Sequence, residues 1–188
     1  MVAALARPLP PASAEGLPDF DAFYREHFAH VWRLLRRLGV RESSLDDAAQ
    51  DVFLVVHRRR ADFDPARSAR AWVYGIALRV ASDYRRSEGR KPTATLPEQI
   101  ASNTADPLRA SESHRKLELL HTLLEKLPDE QRRVFVLFEL EQLHAPEIAE
   151  LLQANVDTIY ARRRAARKKF QAELRRHEAQ SQLTRGRS

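Results

Sequence analysis

The side chains best equipped for chemistry lie near the C-terminus, where Arg162, Arg163, Arg164, Arg167, Lys168 and Lys169 crowd one stretch of helical pattern. Guanidinium and ammonium groups at that spacing can hold phosphates, and an arginine can take a guanine edge through two parallel hydrogen bonds. Immediately before them, Glu147 to Leu152 reads as a short helix with Pro146 in its opening turn, where a missing N–H costs little. Gln153 to Val156 reads as a turn, and a second helix begins near Asp157, with Asp157 or Thr158 as its N-cap. Ile148, Leu152 and Ile159 supply an apolar clasp, and Ala149 is small enough for two helices to approach closely. Leu143 to Leu174 therefore has the pattern of a helix-turn-helix that sets its basic second helix in a major groove. A basic helix face by itself is usually only solvated surface; the attached first helix is what favours DNA.

Little else suggests bond chemistry. The absence of cysteine excludes disulfides, thiol catalysis and thiolate-bound zinc in this chain, and it fits a reducing cytosol. The glycines are scattered and build no phosphate loop. His27 and His30 could both touch a metal, but no acidic third ligand stands beside them, so a structural role is favoured. Asp46, Asp47 and Asp51 could chelate a cation or exchange protons; an acidic protein-docking surface is the better use of such a helix face. No catalytic residue, metal, cofactor or small-molecule substrate is expected, and the chain does not read as an enzyme.

The elements that must position these residues are helices. Phe20, Phe23, Tyr24, His27, Val31, Leu34, Leu35 and Leu38 recur at three- and four-residue steps, with Asp19 placed to cap the helix and Gly39 to end it. Ser44 suits the N-cap of a second helix that buries Leu45, Ala48, Val52, Val55 and Val56 and shows Asp46, Asp47, Gln50 and Asp51. Asp64-Pro65 marks a loop. A third helix, from about Ser68 to Ser87, turns Trp72, Val73, Ile76, Val80 and Tyr84 inward. Its basic residues, interleaved with Trp72 and Tyr74, suit single-stranded nucleic acid. Trp72 is better read as core, whereas Tyr74 lies off the apolar face and is expected to be free. Residues 89–112 bear prolines and no sustained period, as a linker does. Leu117, Leu120, Leu124 and Leu127, then Val134, Leu137, Phe138 and Leu143, resume the helical pattern.

The expected fold is all-α: two small helical domains, 19–88 and 113–176, on a flexible tether, with disordered tails at 1–18 and 177–188. A length of 188 residues allows one ordinary domain or two small ones. The formal charge of +6 and pI near 10.0 favour a polyanionic partner. No run has the length of a membrane span, and the proline-broken start is a poor signal peptide.

Taken in order, these motifs resemble the extracytoplasmic-function (ECF) group of bacterial RNA polymerase sigma factors. Leu45 to Leu54, LDDAAQDVFL, is similar to the acidic-Gln-acidic-Val-Phe signature of sigma region 2. The resemblance implies that Asp46, Asp47, Gln50, Asp51 and Phe53 dock on the β′ clamp helices of RNA polymerase core. Ala71 to Ala77 with Asp83-Tyr84-Arg85-Arg86 is similar to the helix that melts and recognises the −10 element, and the loop from Ala61 to Ala69 would cradle a flipped base. On that likeness Phe63, Asp64, Ser68, Tyr74, Arg79, Arg85 and Arg86 would contact −10 DNA. Leu127 to Arg132 and Glu147 to Glu150 resemble sigma region 4, which reads the −35 element; the readers would be Thr158, Tyr160, Ala161, Arg162, Arg164, Arg167 and Lys168. The implied partners are core polymerase, through the β′ clamp helices and the β flap, promoter DNA and an anti-sigma factor, in the cytoplasm and without membrane insertion.

The chain departs from the family pattern at telling places. Arg79 stands where many members carry asparagine, Arg163 replaces an apolar docking residue, and Ala165 replaces an arginine. Arg163 is expected to lay its stem over the clasp and expose its head. Gln153 replaces the turn glycine, at a cost of about 1 kcal/mol if φ stays positive. These changes bear on which base is read more than on whether DNA is bound. The rival reading is a free-standing helix-turn-helix regulator acting without polymerase; it would have no use for the acidic Asp46–Asp51 face.

Overall fold

The computed structural model describes residues 19–66, 68–88 and 107–185. The tail expected at 1–18, most of the linker and the last three residues lie outside the described residues.

Helix α1 spans Phe20–Arg37, and the Asp19 carboxylate accepts from the Ala22 N–H at 3.1 Å. Gly39, at φ +89°, turns the chain away, a conformation L side chains resist. Helix α2 spans Leu45–Arg58, but Ser44 does not cap it. Ser44 ends a 3₁₀ turn over Glu42–Ser44 that runs straight into α2, so it lacks the extended backbone a capping residue needs. Helix α3 spans Ala69–Glu88 and is capped by the Ser68 hydroxyl, which accepts from the Ala71 N–H. Val31, Leu34 and Leu35 of α1, Leu45, Ala48, Val52 and Val56 of α2, and Val73, Tyr74 and Ala77 of α3 are completely buried together.

Helix α4 spans Pro107–Glu125, so helix begins inside the segment expected to be linker to 112. Arg132, 5% exposed, donates to the carbonyls of Leu124, Glu125 and Leu127 and closes the C-terminal end of α4. Helix α5 spans Asp129–Phe135 and widens into a π turn over Val136–Leu140, where the Glu141 N–H reaches back to the Val136 carbonyl at 2.9 Å. Helix α6, Ala145–Leu152, carries Pro146 in its first turn, and the Glu147 carboxylate accepts from the His144 backbone N–H. Gln153 does adopt the left-handed conformation, φ 52° and ψ 44°. Helix α7 spans Val156–Arg185. Its cap is Asn155, whose Oδ1 accepts from the Thr158 N–H at 2.7 Å; neither Asp157 nor Thr158 caps it. The tail expected from 177 continues α7 as far as Arg185, because its Glu, Ala, Gln, Leu and Arg residues all tolerate helix and no glycine or proline interrupts them.

The two helical modules expected from the sequence are both present, and among the described residues they pack against each other. The first module (α1–α3) and the second (α4–α7) share one apolar cluster. Gly75 of α3 lies so close to α6 that a Cβ there would sit 3.2 Å from Leu151. A Cβ on Gly39 would fall 2.1 Å from Arg132 Nη1, which donates to the Leu38 carbonyl across the seam. Arg36 pairs with Glu118 at 2.6 Å and Arg85 with Asp129 at 2.5 Å.

Candidate nucleic-acid and polymerase interfaces

At about 100° per residue, α7 presents Ile159, Ala166 and Phe170 on one side and Tyr160, Ala161, Arg164 and Lys168 on the other. The packing follows that division. Ile159 and Ala166 are fully buried, and Phe170 stacks on Phe135 with ring centroids 4.7 Å apart. Ile148 and Ala149 complete the clasp, while Leu152 is only partly covered. Tyr160 is 42% exposed, and Ala161, Arg164 and Lys168 face solvent. Arg164 and Lys168 make no ion pair among the described residues, so both cations are available to a phosphate. Thr158 is half-buried.

Arg162, Arg163 and Arg167 of α7 are held by protein carboxylates, which sequence reasoning did not foresee. Arg162 pairs with Glu130 of α5. Arg163 Nε lies 2.7 Å from Glu139 Oε1, and its guanidinium sits 3.7 Å from the centre of the Phe138 ring. Arg167 Nε is 3.8 Å from the same carboxylate oxygen. The Arg163 head, expected to be presented to solvent, is instead held by Glu139 and the Phe138 ring.

Of the residues expected at −10, the structure gathers most around α3 and the loop before it. Phe63 is buried against Trp72, their ring centroids 5.2 Å apart, and Asp64 Oδ1 accepts from the Ala66 N–H. Ser68 is used as the α3 cap. Arg79 is exposed, Arg86 pairs with Asp83, and Arg85 is engaged by Asp129 of the second module. Tyr74 corrects the expectation that it is free: it is fully buried. Its hydroxyl donates to Glu141 Oε2 at 2.5 Å and accepts from Arg70 Nε at 3.1 Å. The face that helical periodicity leaves outside the first module's core is covered by the second module. Burial, and then the Glu141 carboxylate, push the Tyr74 phenol up to about 12.

Glu141 is the centre of that seam. It is 4% exposed, and besides Tyr74 it takes Arg37 Nη1 at 2.5 Å and Arg70 Nη2 at 3.1 Å. A carboxylate in the sequence FELEQL carries no local mark of being buried. The only hint was the surplus of basic residues on α1 and α3 that need a counter-charge.

The acidic face of α2 has a different character. Asp46 accepts from the Trp32 indole N–H at 2.9 Å, and Asp51 from the Tyr84 hydroxyl at 2.8 Å. Burial and the Asp51 carboxylate hold the Tyr84 phenol well above its ordinary range. Asp47 and Gln50 are exposed. Asp46, Gln50 and Phe53 line an open groove whose floor is Phe20, Tyr24, Phe28 and Leu54. Leu54, 44% exposed, is an apolar contact absent from the sequence-based set. His57 completes the lining, and a largely apolar groove with one carboxylate, Asp46, beside the exposed Asp47 of the same helix suits a helical partner bearing both apolar and basic groups.

His27 packs edge-on against Phe23, 4.2 Å between ring centroids, and His30 is hydrogen-bonded to Arg33. Among the described residues no helix is long and apolar enough to cross a membrane, and no group of three or more His, Cys, Asp or Glu could hold a metal ion.

Comparison with known families follows the same division. Residues 23–91 match the Sigma-70 region 2 family and residues 117–170 match Sigma-70, region 4. The ECF RNA polymerase sigma factor SigK of Mycolicibacterium vanbaalenii is 31% identical over 152 residues, covering 77% of this chain and 76% of that protein. SigE of Mycolicibacterium smegmatis, also an ECF sigma factor, is 26% identical over 168 residues; the match takes in 88% of this chain and 65% of SigE. Among solved structures, CnrH in complex with the cytosolic domain of CnrY is similar at a TM-score of 0.64 and 27% identity, over 82% of this chain and 86% of that one. With a region 2 module, a region 4 helix-turn-helix and a relative of this similarity over most of both lengths, the chain belongs to the ECF family of RNA polymerase sigma factors.

Proposed function

We propose that this protein binds core RNA polymerase and directs initiation at specific promoters, gripping the −35 element with α7 and the melted −10 strand with α3 and the loop before it. Arg164 and Lys168 would contact −35 DNA together with Tyr160, Ala161 and Thr158, and Arg162 and Arg167 would join them once drawn from their carboxylates. Arg79 and Arg86, with Phe63, Asp64 and Ser68, would serve the −10 strand. The groove lined by Asp46, Gln50 and Phe53, with Asp47 and Asp51 beside it, would receive the β′ clamp helices. The observation that carries the reading is the coexistence, in one chain, of this apolar groove on the acidic helix α2 and an outward-facing basic helix. A free-standing regulator would need only the helix.

The two elements lie about 25 base pairs apart, or roughly 85 Å at 3.4 Å per base pair. On this reading the form packed through Glu141 is the resting form, and the modules part to span the two elements on the promoter. Tyr74 and Arg85 become available to DNA only then. CnrH was solved with a cytosolic segment of CnrY; by analogy, an anti-sigma segment would hold this chain at rest. The reading puts the protein in the cytoplasm with the polymerase and leaves all bond chemistry to the polymerase.

The test is transcription in vitro with core polymerase on genomic templates. Promoter-specific starts that depend on this chain are expected. Stable core binding with no specific initiation on any template would sink the reading, and specific duplex binding without polymerase would favour the free-standing regulator.

A further inference from the structure

The recognition helix carries more positive charge than it offers to DNA. Arg164 and Lys168 point outward without an ion pair among the described residues, but Arg163 and Arg167 converge on one oxygen of Glu139, at 2.7 and 3.8 Å. Glu139 belongs to the π turn Val136–Leu140, which packs beside α7, and it remains 25% exposed. A partly exposed carboxylate next to a helix that must meet a polyanion repels phosphates. The fold does not need it as a cap, and its neighbours Phe138 and Leu140 already supply apolar contact. Its one evident effect is on the two guanidinium groups. The Arg163 head is engaged through its Nε by Glu139 and through its plane by the Phe138 ring, with 27% of the side chain exposed. Arg167, 52% exposed, lies one turn further along and flanks the outward face, so a pull from Glu139 fixes where that head can reach.

We infer that Glu139 is a positioning residue for specificity in the −35 reader. Its carboxylate withholds Arg163 from the DNA backbone and orients Arg167, limiting the sequence-independent part of binding. The inference rests on the reading of α7 as the −35 helix. Each phosphate neutralised on duplex DNA adds about −0.9 to the slope of log affinity against log salt. A guanidinium released from Glu139 therefore steepens that slope by about 1, and affinity falls about 3.5-fold more between 50 and 200 mM salt than it does in the wild type. The added contact is blind to sequence, so discrimination narrows.

The experiment uses holoenzyme assembled on core polymerase. Fluorescence anisotropy follows its binding to a promoter duplex selected from genomic DNA by the wild-type holoenzyme, and to the same duplex with a scrambled −35 element, across that salt range. Glu139→Gln is expected to steepen the slope by about 1 and to lower the ratio of intact to scrambled affinity, whereas Glu139→Asp keeps both near wild type. Arg163→Leu alone leaves the slope unchanged, and in the Glu139→Gln background it returns the slope toward wild type. A merely structural Glu139 would lower the melting temperature without moving slope or ratio, which overturns the inference. So does an Arg163→Leu slope that flattens by about 1, since Arg163 would then already hold a phosphate. If the paired changes Arg164→Ala and Lys168→Ala weaken binding to the intact −35 duplex but Glu139→Gln changes nothing, the inference falls and the −35 reading stands. If that pair leaves the ratio untouched, both fall.

Discussion

Replacing Glu141 should unlatch the two modules. In the packed form its carboxylate, 5% exposed, accepts from the buried Tyr74 hydroxyl and pairs with Arg37 and Arg70, whose side chains are 21% and 43% exposed. Hydrogen bonds involving a charged group contribute about 1.5–3 kcal/mol each, and removing one partner of a fully buried ion pair costs about 3–5 kcal/mol. Arg70 reaches water and counts for at most about 1 kcal/mol. Burying Glu141 also costs desolvation, which is recovered when the modules part. The contact is therefore worth roughly 2–4 kcal/mol to the packed form, so Glu141→Ala should shift the packed–open balance about 30- to 700-fold toward open. Because the chain has no cysteine, dye pairs can be attached cleanly at Ala29→Cys and His177→Cys, both exposed positions, on α1 and α7. Energy transfer between them should fall in Glu141→Ala, and Tyr74 should lose its protection from solvent. Glu141→Gln, which keeps the shape and one acceptor, should lie between. Unchanged transfer in a Glu141→Ala protein that still melts cooperatively would refute the reasoning.

Further outcomes are expected. Gln153→Gly should raise stability by about 1 kcal/mol, because a left-handed φ of 52° strains any residue with a Cβ; chemical denaturation checks it. Leu54→Asp should weaken core polymerase binding at least about tenfold, the loss typical of an interface anchor, and leave the melting temperature nearly unchanged because Leu54 is already 44% exposed; gel filtration of holoenzyme reads the first and a thermal melt the second. Burial, with Arg36 beside it, pushes the His121 imidazole down to about 4, against 6.5 for an ordinary histidine. The folded state therefore binds fewer protons than the unfolded state between those values, so His121's contribution is intact above pH 6.5 and stability is lost as pH falls from 6.5 toward 4. Melts at pH 7 and pH 5 should differ less in His121→Phe than in the wild type; His27, also lowered by burial, keeps part of the difference in both.

Helix positions were largely readable because each helix buries a stripe at the period its backbone imposes, and the start of α1 followed from Asp19 and its end from Gly39. Caps were less readable. Ser44 looks like a cap but is preceded by a turn that already runs helically, and Asp157 was outcompeted by Asn155, two residues earlier. The recognition helix was visible from its charge, yet which arginines remain available depended on Glu130 and Glu139, acids more than twenty residues away in the chain. Tyr74 was misjudged for a related reason. Periodicity within α3 marks the face that meets its own module, but it carries nothing about a second surface supplied by a distant turn. Gly39 and Gly75 were the available clues to that surface, since a side chain from the other module crowds the space a Cβ would take at each.

Arg132 makes the seam separable. Three of its acceptors, the carbonyls of Leu124, Glu125 and Leu127, lie on its own module, and only one, Leu38, lies across the seam. When the modules part, one N–H is handed to water while the end of α4 stays closed. If the modules part as proposed, the C-terminal half keeps this closure of its first helix through its own residues.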